Sequence, residues 1–145
     1  MPNYSTKRTI IGQIKKGANL YNSITRIVQE NGIRMGRVTG MGAVQHAALA
    51  YYNQKTMTYQ NIELNEALEI VSLYRNVSLK DGKPFAHVHV VLSDERGNGK
   101  GGHLLPDSTP VFACEITIEE FEGPALVRGF EETSGLTLWS EDKTL

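Results

Sequence analysis

One cysteine in 145 residues, Cys114, leaves no partner for an intrachain disulfide and fits a reducing compartment. It stands between Ala113 and Glu115 in a strand-like run, where a thiol acts as a small buried hydrophobe rather than a nucleophile. A large excess of either charge is also missing. Fifteen basic against sixteen acidic residues give a net charge of −1, so nothing in the overall charge favours strong, unaided binding to phosphate backbones. No stretch approaches the roughly 18 uninterrupted apolar residues of a membrane-spanning helix. The opening Met1-Pro2-Asn3-Tyr4-Ser5-Thr6-Lys7-Arg8 lacks the apolar region of a signal peptide. These absences lead to the expectation of a soluble, cytoplasmic protein. A chain of this length is large enough to bury a real core, and residues 1–145 read as a single domain.

Taken in order, Thr6 to Ile14 reads as a first strand. Asn19 is placed to cap a helix, with Leu20, Ile24, Ile27 and Val28 forming one apolar stripe and Asn31-Gly32 ending it in a left-handed stop. From Ile33 onward the pattern is β. Ile33 to Gly40 is interrupted by Gly40-Met41-Gly42, where glycines serve a bulge or a close strand approach. Val44 to Tyr52 and Met57 to Leu64 pair as a hairpin, and Leu68 to Val77 follows. Phe85 to Leu92, Phe112 to Phe121, Leu126 to Phe130 and Leu136 to Trp139 are further strands. In the Phe112 strand, Phe112, Cys114, Ile116 and Ile118 share one face. Short links imply mostly antiparallel pairing, giving an α+β fold: a curved, mostly antiparallel sheet with one main helix packed on it. One helix cannot cover so many strands. Tyr51, Tyr52, Phe112, Phe121 and Trp139 therefore need another surface, and self-association supplies it.

Three of the four histidines lie between Phe85 and Leu105. Alternation puts His87 and His89 on one strand face, with Val88 and Val90 on the other. If the Gly-rich segment Asp94 to Gly102 turns about Arg96, His103 falls opposite His89 with His87 as its diagonal neighbour, close enough for three imidazoles to meet on one ion. Gly101-Gly102 lets the backbone approach closely there. Neutral imidazoles suit zinc, or nickel, copper or iron, and three protein ligands leave a coordination position open. An ion so held can lower the pKa of a bound water to about 7, with Glu69, Asp94 or Asp107 as candidate proton carriers.

Other signals carry less. Gly97-Asn98-Gly99-Lys100-Gly101-Gly102 fits a dinucleotide-binding pattern formally, but no helix follows it. His46 stands alone in a strand pattern and reads as an exposed or locally satisfied side chain. Lys7-Arg8 and Lys15-Lys16 are too scattered for a nucleic-acid footprint, and no serine sits in a nucleophile elbow.

Across nearly its whole length the chain resembles the plants-and-prokaryotes conserved (PPC) domain family. The likeness lies in the helix ending Asn31-Gly32-Ile33, in Gly40-Met41-Gly42-Ala43, in Glu69-Ile70 and in Asp81-Gly82-Lys83-Pro84-Phe85. Most specific is His87-Val88-His89-Val90-Val91-Leu92-Ser93-Asp94 leading to Gly101-Gly102-His103-Leu104. The resemblance implies an antiparallel sheet with one helix and a homotrimer. It also implies a metal site at His87, His89 and His103, holding zinc or another transition metal. Plant members join this domain to an Arg-Gly-Arg-Pro minor-groove hook and act in transcription; this chain has no such core. Their Gly-Arg-Phe-Glu-Ile-Leu partner segment reads Glu66-Ala67-Leu68-Glu69-Ile70-Val71 here. The functional reading is thus a stand-alone prokaryotic PPC protein of DNA-binding or regulatory type, with DNA or a protein as partner. The alternative is a zinc-dependent enzyme acting on a small molecule through a metal-bound water.

Overall fold

A computed structural model describes residues 3–140. Eight strands form one open sheet, with β1 (Ser5–Ile14), β2 (Gly36–Val44), β3 (Ala47–Asn53), β4 (Thr58–Leu64), β5 (Leu68–Lys80), β6 (Lys83–Ser93), β7 (Gly99–Leu104) and β8 (Val111–Glu122) in the order β1-β8-β2-β5-β6-β7-β3-β4. Every pairing in it is antiparallel. A separate hairpin joins β9 (Arg128–Glu131) to β10 (Leu136–Trp139). This is the α+β architecture expected from the strand-rich pattern.

The one helix among the described residues, α1 (Leu20–Glu30), follows its capping signals. The Asn19 carboxamide oxygen accepts from the Asn22 N–H at 2.9 Å, and Gly32 closes the helix with φ +62°. Leu20, Ile24 and Val28 are completely buried. They press onto a sheet face carrying Val38, Leu73, Val77, Val88, Val90, Leu92, Ile116 and Ile118. Burying each such side chain stabilises the fold by about 1.5–3 kcal/mol, so this one face holds most of the core. Among the described residues no helix is long and apolar enough to cross a membrane.

Three local expectations change. Gly40-Met41-Gly42 does not break a strand: β2 runs through it with a bulge against β5, and its glycines let β8 approach where a Cβ would clash with the β8 backbone. The turn after β6 is shorter than Asp94 to Gly102. It occupies Asp94 to Asn98, where the Asp94 carboxylate accepts from the N–H groups of Arg96 and Asn98, and β7 begins at Gly99. Phe112 does not share the buried face of Cys114, Ile116 and Ile118. A register shift between Ala43 and Val44 turns it outward, 53 % exposed, with Lys16 Nζ over its ring at 4.2 Å.

The cross-strand register separates two chemistries. The row Ile118, Val38, Arg75, Val88 faces α1. The next row, Thr117, Thr39, Tyr74, His89, His103, Ala50, lies on the opposite face.

Candidate metal centre

β6 and β7 place the histidines. His89 pairs directly with His103, so the turn acts as a symmetric hairpin about Arg96, and His87 lies one side-chain step along the same face. Ring centroids are 4.8 Å apart for His87 and His89, 5.3 Å for His87 and His103, and 5.4 Å for His89 and His103. One ring nitrogen from each histidine lies within 4.8 Å of the others. The Nε2 atoms of His87 and His89 are 2.9 Å apart. Gly102 fits beneath because a Cβ there would come within 3.0 Å of the Ala50 carbonyl oxygen.

The electrostatics keep the rings neutral. Burial, followed by the charges of His89, Arg128 and His103, pushes His87 down to about 4. Burial is also the leading cause that lowers His89 and His103 below the usual imidazole range. A neutral imidazole offers a lone pair, the form that ligates metals. His103 Nδ1 is buried with no hydrogen-bond partner, an omission that costs free energy unless another group completes it. The site therefore fits a metal on two counts: three converging neutral donors, and a buried nitrogen lacking a partner. Nitrogens around a tetrahedral zinc sit about 3.3 Å apart, so binding would draw the widest pair, at up to 4.8 Å, inward and part the His87 and His89 nitrogens slightly from 2.9 Å.

The histidines form part of the lining of a cavity of about 720 Å³. Its walls are mainly apolar and aromatic: Tyr51, Tyr52, Tyr59, Phe85, Leu136 and Leu138. The β9–β10 hairpin supplies two of them and is tied to the sheet by hydrogen bonds. Tyr52 Oη donates to the Ser134 carbonyl at 2.6 Å, and Arg128 Nε donates to Ser78 Oγ at 2.7 Å. Tyr59 stacks obliquely on both Tyr52 and His103, at 4.9 and 5.6 Å between centroids.

The candidate proton carriers are elsewhere. None of Glu69, Asp94 and Asp107 lines this cavity. Glu69 and Asp94 border a second cavity of about 430 Å³, beside Phe112. Asp94 is held below the usual carboxylate range chiefly by Asn98, and Asp107 accepts from the Asn22 side chain. His46 is exposed in the β2–β3 connection and does not belong to the cluster. Cys114 is 2 % exposed and its thiol is pushed up to about 11, chiefly by burial, which suits a core residue.

Sequence reading missed the aromatic wall. Tyr52 and Tyr59 are cross-strand partners because the turn occupies residues 54–57, one residue later than the expected Asn53 to Thr56, which would have set Tyr52 opposite Met57. The approach of β3 to β7 had no local signal, because those strands are not consecutive in the chain.

Comparison with known proteins places this geometry in a family. Several solved structures are similar to it. A metal-containing protein from Archaeoglobus fulgidus is 39 % identical, with TM-score 0.89 over 97 % of this chain and 99 % of that one. A plant- and prokaryote-conserved protein from Pyrococcus horikoshii is 34 % identical, with TM-score 0.88 over 96 % and 95 % of the two chains. A Bacteroides thetaiotaomicron protein, provisionally described as DNA-binding, shares the fold at 23 % identity and TM-score 0.85, over 99 % of each chain. No curated protein matches the chain. Residues 1–122 match the family model of the Plants and Prokaryotes Conserved (PCC) domain, and the chain belongs to that family.

Proposed function

We propose that this chain, a single domain over residues 1–145, is a metal-binding protein in which His87, His89 and His103 hold zinc or another transition metal facing a small-molecule cavity. The observation that carries this reading is the convergence of three neutral ring nitrogens within 4.8 Å, bordering an apolar pocket. The metal content of the 39 %-identical Archaeoglobus relative supports it. A bound dication would supply Lewis-acid polarisation of a ligand in its open position. The chain's own residues supply the neutral donors and apolar walls that exclude water. Among the described residues no carboxylate lines the cavity, so the site favours binding and polarisation over hydrolysis by a general base. Protein purified without a histidine tag is expected to carry about one transition-metal ion per chain, measured by mass spectrometry of the elements. Protein that arrives empty and takes up no zinc, cobalt or nickel on addition sinks this reading.

The functional unit is a homotrimer. Ile11, Met41, Val71, Tyr74 and Val91 are all exposed on the sheet face that α1 leaves uncovered, an apolar surface that self-association would bury. Light scattering is expected to give the mass of three chains; a monomer at every concentration overturns this assembly.

A DNA-associated regulatory role is the second reading, supported by the provisional description of the Bacteroides relative. The net charge of −1 weighs against direct contact with phosphates. Little binding to generic duplex DNA is expected even at low salt. Tight binding that weakens steeply with added salt would bring the DNA reading to the front.

A further inference from the structure

We propose that the cavity takes a carboxylate carried on an aromatic or branched apolar body, with the anionic end at the histidine-held metal and the body against Tyr59, Phe85, Leu136 and Leu138. This rests on the metal reading above and adds the chemical class of the ligand.

Charge is the first reason. Three neutral imidazoles would leave a bound dication's charge uncompensated, and among the described residues no carboxylate lines the cavity. Arg128 adds to the imbalance. It is 7 % exposed and lies 5.7 Å from the Phe85 ring and 5.3 Å from the Trp139 ring. Its hydrogen bonds run to neutral acceptors, Ser78 Oγ and the Thr137 carbonyl, and among the described residues no carboxylate pairs with it. Arg128 does not itself line the cavity but is close enough for its charge to act on His87; with no carboxylate among the described residues lining the cavity, an anionic ligand is favoured over a cationic one.

Shape and wall chemistry are the second reason. A volume of about 720 Å³ far exceeds an acetate-sized ion and falls in the usual range for small-molecule sites, roughly 300–1,000 Å³. Tyr59 already makes an oblique ring contact with His103, so an aromatic body can lie beside a group that reaches the metal. Among the described residues no lysine or arginine lines the cavity, so a polyphosphate would find few partners along its length. A single carboxylate needs one positive centre, and the apolar remainder finds matching walls.

The test uses the full chain loaded with cobalt(II), whose visible absorption reports on ligands entering its coordination sphere. Titration with 3-phenylpropionate is expected to shift that spectrum and to bind at least about tenfold more tightly than acetate, because burying the phenyl group adds apolar contact. The corresponding amide and phenethylamine should leave the spectrum unchanged. Leu138→Ala should weaken 3-phenylpropionate several-fold while leaving acetate and cobalt affinity as they were. Equal affinity for acetate and 3-phenylpropionate, or equal binding of the amine, overturns the ligand class while the metal reading stands. Loss of acetate binding in Leu138→Ala overturns the role of the wall. Failure to take up cobalt at all overturns the metal reading and this inference with it.

Discussion

The double variant His87→Ala, His103→Ala is expected to fall from about one metal ion per chain to less than about a tenth, while its circular dichroism stays that of the parent. The two effects separate because the strand has two faces. Val88 and Val90, on the opposite side of β6, are buried against α1 and hold the strand in place. The histidines instead border a cavity, and their neutral rings make no ion pair that the fold depends on. Removing two such side chains should change stability by no more than about 1 kcal/mol. One ligand alone cannot keep a transition metal against buffer, since affinity comes from several donors fixed in one geometry. A folded double variant that still carries a full complement of metal would show that the ligand set lies elsewhere. His46→Ala is the control: it is exposed and outside the cluster, so metal content should not move.

Gly42→Ala is expected to be among the most damaging single substitutions in the chain. Gly42 has φ +148°, a conformation L side chains rarely adopt, at the point where β2 bulges against β5 and packs against β8. A Cβ there would lie 2.1 Å from the Ala113 carbonyl oxygen and 2.7 Å from Cys114 Cα. Both are backbone atoms of a paired strand and cannot swing aside as a flexible side chain would. Backbone strain of about 1–3 kcal/mol and overpacking of a similar size add to roughly 2–6 kcal/mol. Domains of this kind have only about 5–15 kcal/mol to lose, so the urea midpoint should drop sharply or soluble protein should fail to accumulate. Gly12→Ala serves as the comparison, since nothing lies within 4 Å of the Cβ it would add. Similar midpoints for the two variants would contradict the close approach of β2 and β8.

Where the chain's own periodicity governs structure, residues and fold agree. The α1 stripe, its asparagine cap and its glycine stop are consecutive signals within 14 residues, and the helix spans Leu20–Glu30 between them. The histidine hairpin is equally local. His89 and His103 are equidistant from Arg96, and one tight turn sets their register. Disagreements arise where a single residue's placement depends on a neighbouring strand. Phe112 obeys alternation in isolation, but the shift between Ala43 and Val44 on β2 turns it out of the core. Arg75 lies between Leu73 and Val77 in the alternation, and its strand buries it entirely beneath α1, where Nη1 donates to Thr25 Oγ1 at 3.1 Å. The carboxylates Glu69, Asp94 and Asp107 are near the histidines in sequence-level reasoning but are kept from the cavity by turns and edges elsewhere.

The sequence by itself determined the strand-rich architecture, the one capped helix and the pairing of His89 with His103, because each rests on side-chain period and short turns. Only the tertiary structure decided what surrounds the histidines. β3 reaches β7 by skipping three strands of the chain, bringing Ala50 against His103, and the β9–β10 hairpin returns more than thirty residues later to wall the pocket with Leu136 and Leu138. Such non-consecutive contacts have no periodic signature. They form because the apolar side chains of distant segments must share one buried space.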